Sequence, residues 1–201
     1  ADSQHGRLIV LCGPAGVGKG TVLGRVREQH PEIWLSVSAT TRQPRPGEVD
    51  GVNYFFMTEP EFLAKEKAGE FLETATCSAS PLRHTRETIV EHLERNIPVV
   101  LEIDLQGART VKRRAKELGL EVLTVFIEPP SFEELKRRLI GRGTETLNSS
   151  QKLETAKVEL AAAPEFDKRI VNNVVDEPQT SFGISSPKSS ACNPSIRLSS
   201  Q

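Results

Sequence analysis

Nine consecutive residues constrain this chain more than anything else in it: Gly13-Pro14-Ala15-Gly16-Val17-Gly18-Lys19-Gly20-Thr21. They follow Leu8-Ile9-Val10-Leu11, a short continuous apolar run that suits a strand buried on both faces, and they lead into a helix-compatible stretch from Lys19 to Gln29. A G-x-x-x-x-G-K sequence between a strand and a helix makes a phosphate cradle. Its glycines let successive backbone N–H groups point inward at an anion, the helix N-terminus adds its dipole, and the lysine reaches the outer phosphates. The loop predicts a nucleoside triphosphate site on residues 13–21, with Lys19 as its cation. Gly20 stands where the strict pattern has the Ser or Thr that helps hold magnesium, and Thr21 comes one residue later.

Strand and helix signals continue to alternate. Residues 97–103 and 122–127 are two more buried-strand candidates, separated by residues 108–118, where Val111, Ala115 and Leu118 recur at helical spacing. Such alternation predicts a parallel sheet. The stretch between differs: Leu35-Ser36-Val37-Ser38, Tyr54-Phe55-Phe56 and Phe71-Leu72 are expected as short strands of an inserted subdomain, split by the turn-rich Pro44-Arg45-Pro46-Gly47. After Pro129-Pro130, Ser131 and Glu134 form a capping-box pattern. It opens a helix with Phe132, Leu135 and Leu139 on one face, expected to end near residues 141–143. A further helix runs through Leu153, Ala156, Val158 and Leu160, and Ile170-Val171 adds a last short strand. Serines crowd the stretch beyond Glu177, so residues 178–201 are expected as a disordered tail.

Composition removes several function classes. At 201 residues, with 37% hydrophobic side chains and 14 glycines, the chain can bury a core without cross-links. Twenty-six basic against 27 acidic side chains leave a net charge of -1, so no overall field recruits nucleic acid or an anionic membrane, and any anion site is local. No apolar run approaches a membrane span, and residues 1–5 lack the basic and apolar regions of a signal peptide. Cys12, Cys77 and Cys192 are widely spaced and suit reduced thiols, so the chain reads as cytoplasmic. The four histidines form no HExxH, and there is no convincing Ser-His-Asp or Cys-His arrangement.

The stretch from Ser36 to Tyr54, Ser-Val-Ser-Ala-Thr-Thr-Arg-Gln-Pro-Arg-Pro-Gly-Glu-Val-Asp-Gly-Val-Asn-Tyr, resembles the guanylate kinases, which move a phosphoryl group from ATP to GMP. The resemblance continues through Glu70-Phe71-Leu72-Glu73, Leu101-Glu102-Ile103-Asp104-Leu105-Gln106-Gly107-Ala108, Pro129-Pro130-Ser131 and Arg138-Leu139-Ile140-Gly141-Arg142-Gly143-Thr144, and covers most of residues 7–172. It implies an α/β P-loop three-layer fold with a central parallel sheet, an inserted mixed nucleoside-monophosphate-binding subdomain and a helical lid. The implied domain is 7–177, with its core at 7–35, 96–130 and 152–177, the GMP-binding subdomain at 36–95 and the lid at 131–151.

By the same resemblance, Arg42, Arg45 and Tyr54 grip the GMP phosphate; two guanidinium forks and a phenol suit a dianion. Glu73 accepts hydrogen bonds from the guanine N1–H and exocyclic amine, with Ser38 and Asp104 helping to hold the base. Asp104 follows a buried strand at its C-terminal end, where its carboxylate can reach either the base or waters around magnesium. Arg138 and Arg142, four apart on one helix face, resemble lid arginines that close over the donor phosphates. Lys19, Arg42, Arg138 and Arg142 are then the catalytic set. Magnesium enters with ATP, no protein side chain is assigned to it, and ATP and GMP are the partners of a monomer or homodimer. The attacking GMP phosphate has a second pKa near 6 and needs no general base, so catalysis is positioning plus charge stabilisation.

The chain departs from the family in three places. Counting from both sides of residues 74–85 puts Leu82 where a phosphate-binding Tyr stands and His84 where a base-binding hydroxyl stands, with Arg83 between them as the candidate substitute for the lost donor. The lid stretch 145–152 is about one residue short, with Lys152 where Arg is favoured, and the tail beyond Asn173 matches nothing in the pattern. Reduced GMP turnover with ATP binding intact is the consequence expected. The alternatives are a guanylate-kinase-like module binding phosphopeptide without catalysis, and a nucleoside monophosphate kinase of another base specificity.

Overall fold

The computed structural model describes residues 6–73, 82–140 and 147–173. Its centre is strand β1 (Leu8–Cys12), in which Leu8, Val10 and Cys12 are fully buried. A five-residue strand this apolar is stable only between neighbours on both edges and helices on both faces. It pairs in parallel with β6 (Val99–Glu102) on one side and β7 (Val122–Glu128) on the other. With β2 (Trp34–Leu35) and β8 (Lys168–Val171) at the edges, the five strands run parallel in the order β2-β6-β1-β7-β8.

The period-two alternation along β1 sorts its side chains onto two cores. Leu8, Val10 and Cys12 join Val99, Leu101 and Phe126 against α3 (Arg86–Glu94) and α4 (Leu105–Glu117), through Ile89, Leu93, Ala108, Val111 and Ala115. Leu11 joins Val100, Val125 and Ile127 on the opposite face, beneath α1 (Lys19–Gln29), α5 (Phe132–Ile140) and α6 (Leu147–Ala161). Each fully buried aliphatic side chain contributes about 1.5–3 kcal/mol. The outcome is the parallel sheet expected from the alternating pattern, within the three-layer α/β architecture that the resemblance implies.

The middle stretch builds a second sheet, but not from the strands the sequence suggests. Residues 36–38 lie outside any strand. Leu35 belongs to the central sheet, and the chain enters the smaller sheet only at β3 (Ala39–Thr40), which pairs in parallel with β4 (Phe55–Phe56) and antiparallel with β5 (Leu82–Arg83). Phe71 makes a single antiparallel bridge with Thr85. Helix α2 (Glu59–Lys67) closes this unit and buries Phe62 against Ala39 and Phe71. Its start is set by a complete capping box: Thr58 accepts from the Glu61 backbone N–H, and the Glu61 carboxylate accepts from the Thr58 N–H.

The box expected at Ser131 is only half formed. The Ser131 hydroxyl accepts from the Glu134 N–H at 3.1 Å, but the Glu134 carboxylate turns instead to Arg137 and Arg138. Two full charges outbid a backbone amide. Helix α5 is described as far as Ile140, and residues 141–143, where its end is expected, lie outside the described residues. Helix α6 is continuous across residues 151–152, where the sequence divides lid from core. Residues 74–81, 141–146 and the serine-rich tail expected as disordered lie outside the described residues.

Candidate active site

The loop 13–18 leaves the C-terminal end of β1, where the connections diverge: α1 leads towards β2 on one side and β7 lies on the other. This crevice is where open parallel sheets collect ligands. Gly18 caps α1 in the left-handed region at φ 90°, a conformation that a side chain would strain, and Gly16 sits at φ 79°. At Gly13 a Cβ would lie 2.6 Å from the Ile127 carbonyl oxygen, so the loop rests on β7 with no room for a side chain. Val17 is fully buried, Ala15 and Gly20 are exposed, and Pro14 is buried beside them. At Gly20 a Cβ would meet nothing within 4 Å.

Lys19 folds back over the loop, donating from Nζ to the carbonyls of Gly13 at 2.7 Å and Pro14 at 3.3 Å. Two further groups converge on Val17. Asn172, buried at the end of β8, donates from Nδ2 to its carbonyl at 3.0 Å, and Arg138 reaches the same oxygen from α5 at 3.4 Å. Arg138 is itself aimed by Glu134, whose Oε1 accepts from Nε at 2.9 Å. The lid arginine expected from sequence is thus placed at the phosphate loop, whereas Arg142 lies outside the described residues.

Asp104 is the N-cap of α4: its Oδ1 accepts from the Gly107 N–H at 2.7 Å. That bond commits one oxygen to the helix and sets the carboxylate at the end of β6, close enough to Glu159 to interact with it electrostatically. Burial pushes the Glu159 carboxyl above its ordinary value, with Asp104 adding to the rise and Lys19 opposing it. Burial, then the Glu159 charge, pushes the Cys12 thiol up to about 12, so beneath the loop it stays a neutral packing group.

The other expected residues gather around the small sheet. Arg42 is half-buried, its guanidinium 5.2 Å from the Tyr54 ring centroid, and it pairs with Glu48, which also accepts from the Arg45 backbone N–H at 2.7 Å. Arg42, Arg45 and Tyr54 therefore form one cluster, organised by Glu48, an acid that no sequence signal singles out. The Arg45 residue is exposed.

Glu73 is not the exposed strand-end acid its position could equally have suggested; it is 2% exposed. Its Oε1 accepts the backbone N–H of His84 at 3.0 Å and lies 2.7 Å from His84 Nδ1, and His84 Nε2 lies 3.1 Å from the Ser38 hydroxyl. Ser38 and Glu73, far apart in sequence, are joined through one imidazole. Arg83, beside Leu82, is buried against Phe62, with the Glu66 carboxylate 3.6 Å away. In the antiparallel register Arg83 stands opposite Ala39 on the Phe62 side of the sheet, and Leu82 stands opposite Thr40.

A glycine loop on the central strand of a parallel sheet, its lysine folded over it and an arginine reaching it from a separate helix, defines a P-loop nucleotide-binding protein of the kinase class. The guanylate kinase family model matches residues 5–182. The chain is 66% identical over 178 residues to a guanylate kinase of Bifidobacterium longum, covering 88% of this chain and 91% of that one. It is 52% identical over 172 residues to a guanylate kinase of Streptomyces coelicolor, covering 85% of each. The crystal structure of guanylate kinase from Anaplasma phagocytophilum superposes with a TM-score of 0.66 at 32% identity, covering 85% of this chain and 79% of that one. The chain belongs to the guanylate kinase family.

Proposed function

We propose that this chain transfers the γ-phosphoryl group of ATP to GMP, giving ADP and GDP. The observation that carries the acceptor half is the buried Glu73 carboxylate, whose Oε2 has no hydrogen-bond partner among the described residues: a carboxylate oxygen held out of water in that state needs a donor, and a purine edge bearing N1–H supplies one. The donor half rests on the loop 13–21 and on Lys19, whose Nζ exchanges two neutral carbonyls for phosphate oxygens when a triphosphate enters.

In this scheme an oxygen of the GMP phosphate attacks the γ-phosphorus, the bond to the bridging oxygen breaks, and ADP leaves. Lys19 and Arg138 stabilise the charge spread over the transferred group, while Arg42, Arg45 and Tyr54 fix the acceptor phosphate in line. Arg142 is assigned with Arg138 to the lid. Among the described residues no cluster of three or more His, Cys, Asp or Glu side chains could hold a metal ion by itself. That suits magnesium, which keeps several waters and binds through substrate phosphates with one or two protein oxygens. Thr21, Asp104 and Glu159 are the oxygen donors near the loop that would hold it or its waters, and the ion would neutralise charge between the phosphates.

Closure of residues 36–95 and 131–151 over the core would exclude water and suppress ATP hydrolysis. No described helix is long and apolar enough to cross a membrane. An acceptor panel of GMP, dGMP, AMP and UMP with ATP and magnesium tests the proposal. Guanine nucleotides are the expected substrates, and equal use of AMP or UMP contradicts it.

A further inference from the structure

The two oxygens of Glu73 are not equivalent. Oε1 takes both the His84 backbone N–H, at 3.0 Å, and Nδ1, at 2.7 Å, while Oε2 is buried with no partner among the described residues. A carboxylate oxygen offers about two lone-pair sites, so Oε1 is filled. The hydrogen on Nδ1 follows from this network, because a carboxylate can only accept. His84 Nε2 lies 3.1 Å from the Ser38 hydroxyl and engages that group as well, whichever of the two donates. His84 is 1% exposed and cannot swing out without opening the site.

We infer that His84 is a specificity-determining residue of the acceptor site assigned above: by occupying Oε1 and Ser38, it leaves Glu73 one oxygen with which to read the base. The parallel N1–H and N2–H of guanine match the two oxygens of a carboxylate; a lone oxygen takes one of them in line, the N1–H that guanine and hypoxanthine both carry, and meets the other only at a bent, weak angle. It opposes adenine, whose N1 is itself an acceptor. The 2-amino group, which distinguishes guanine from hypoxanthine, finds the neighbouring oxygen already saturated. The site therefore selects 6-oxopurine monophosphates as a class and prefers GMP over IMP only weakly.

The test is kcat/KM for GMP, IMP and AMP with ATP and magnesium, in the wild type, His84→Ala and His84→Asn. The wild type is expected to favour GMP over IMP by no more than about tenfold while rejecting AMP by about a thousandfold, the gap between losing one contact and burying unpaired polar groups. His84→Ala frees a lone pair of Oε1 for the amine, and its GMP-to-IMP ratio should rise by about tenfold or more, through KM for GMP with KM for ATP unchanged. In His84→Asn the side-chain amide can donate to Oε1 in place of Nδ1 and should keep the wild-type ratio. A wild-type ratio beyond about a hundredfold, measurable whether or not either variant folds, or a ratio unmoved in a folded His84→Ala, overturns the role of His84 while leaving the acceptor site standing. Wild-type protein that binds ATP yet phosphorylates neither GMP nor IMP overturns the acceptor assignment, and His84's role with it.

Discussion

Arg114, on helix α4 of the core, donates from Nη1 to the backbone carbonyl of Phe71 at 2.6 Å. The same nitrogen lies 3.4 Å from the Leu72 carbonyl, so a core helix ties down the two residues that lead directly into Glu73. Arg114→Ala should leave ATP binding intact and raise KM for GMP about three- to tenfold, since a charged hydrogen bond to a carbonyl at a largely buried site is lost and Glu73 loosens. Isothermal titration with ATP and steady-state kinetics in GMP separate the two effects. An equal loss in both nucleotides would mean general destabilisation.

Arg42 meets Glu48 with both prongs, at 2.9 and 3.0 Å, and this contact holds the arginine above and the glutamate below their ordinary pKa values. An incoming phosphate dianion must share Arg42 with that carboxylate. Glu48→Gln keeps a carbonyl oxygen for the guanidinium and for the Arg45 N–H while removing the competing charge. KM for GMP should fall about two- to fivefold, the range expected of a partly solvated pair. A rise would show that the pair orients Arg42 more than it occupies it.

Gly13 and Gly20 differ sharply in what a side chain would meet. A Cβ at Gly13 would lie 2.6 Å from the carbonyl oxygen of fully buried Ile127, and one at Gly20 would meet nothing within 4 Å. Overpacking of this kind costs about 1–3 kcal/mol, so Gly13→Ala should lower Tm by about 3–10 °C. Gly20→Ser should stay within about 1 °C of wild type and restore the strict loop pattern. Differential scanning calorimetry decides both.

Asp167 Oδ2 accepts from the Thr124 backbone N–H and hydroxyl, both at 2.9 Å, and these bonds, the backbone one first, hold its carboxyl below the ordinary 3.8. A depressed folded value means stability that is present above the unfolded pKa and lost as pH falls through the folded one. Asp167→Asn should therefore lower Tm at pH 7 by about 2–4 °C, a modest figure because the residue is exposed, and the gap should close in acid below the ordinary Asp range. A gap independent of pH would assign the effect to shape rather than charge.

Sequence made the phosphate loop legible because its parts are local: β1, the glycines and a helix running over Lys19–Gln29 all lie within one short stretch. The central strands and the last strand were legible for the same reason. The small sheet was less so, since β3 pairs with β5 across more than forty residues and two-residue strands leave no period to count. Helix α2 went unmarked although Thr58 and Glu61 carry a full capping box, because Phe62 is the only residue it buries deeply. Among the site residues, Glu73 and Arg42 could be picked out by resemblance, but Glu48 and His84 could not be given their roles. Both act by filling the hydrogen bonds of other side chains, and such partnerships form only when distant segments meet.

The most direct measurement is phosphoryl transfer from ATP to GMP with magnesium, wild type beside Lys19→Met. Wild-type protein should form ADP and GDP in equal amounts, and the methionine variant should lose about a hundred- to a thousandfold in kcat while remaining folded. ATP consumed without GDP formation, or a Lys19→Met variant as active as wild type, would contradict a donor loop working against a separate acceptor pocket.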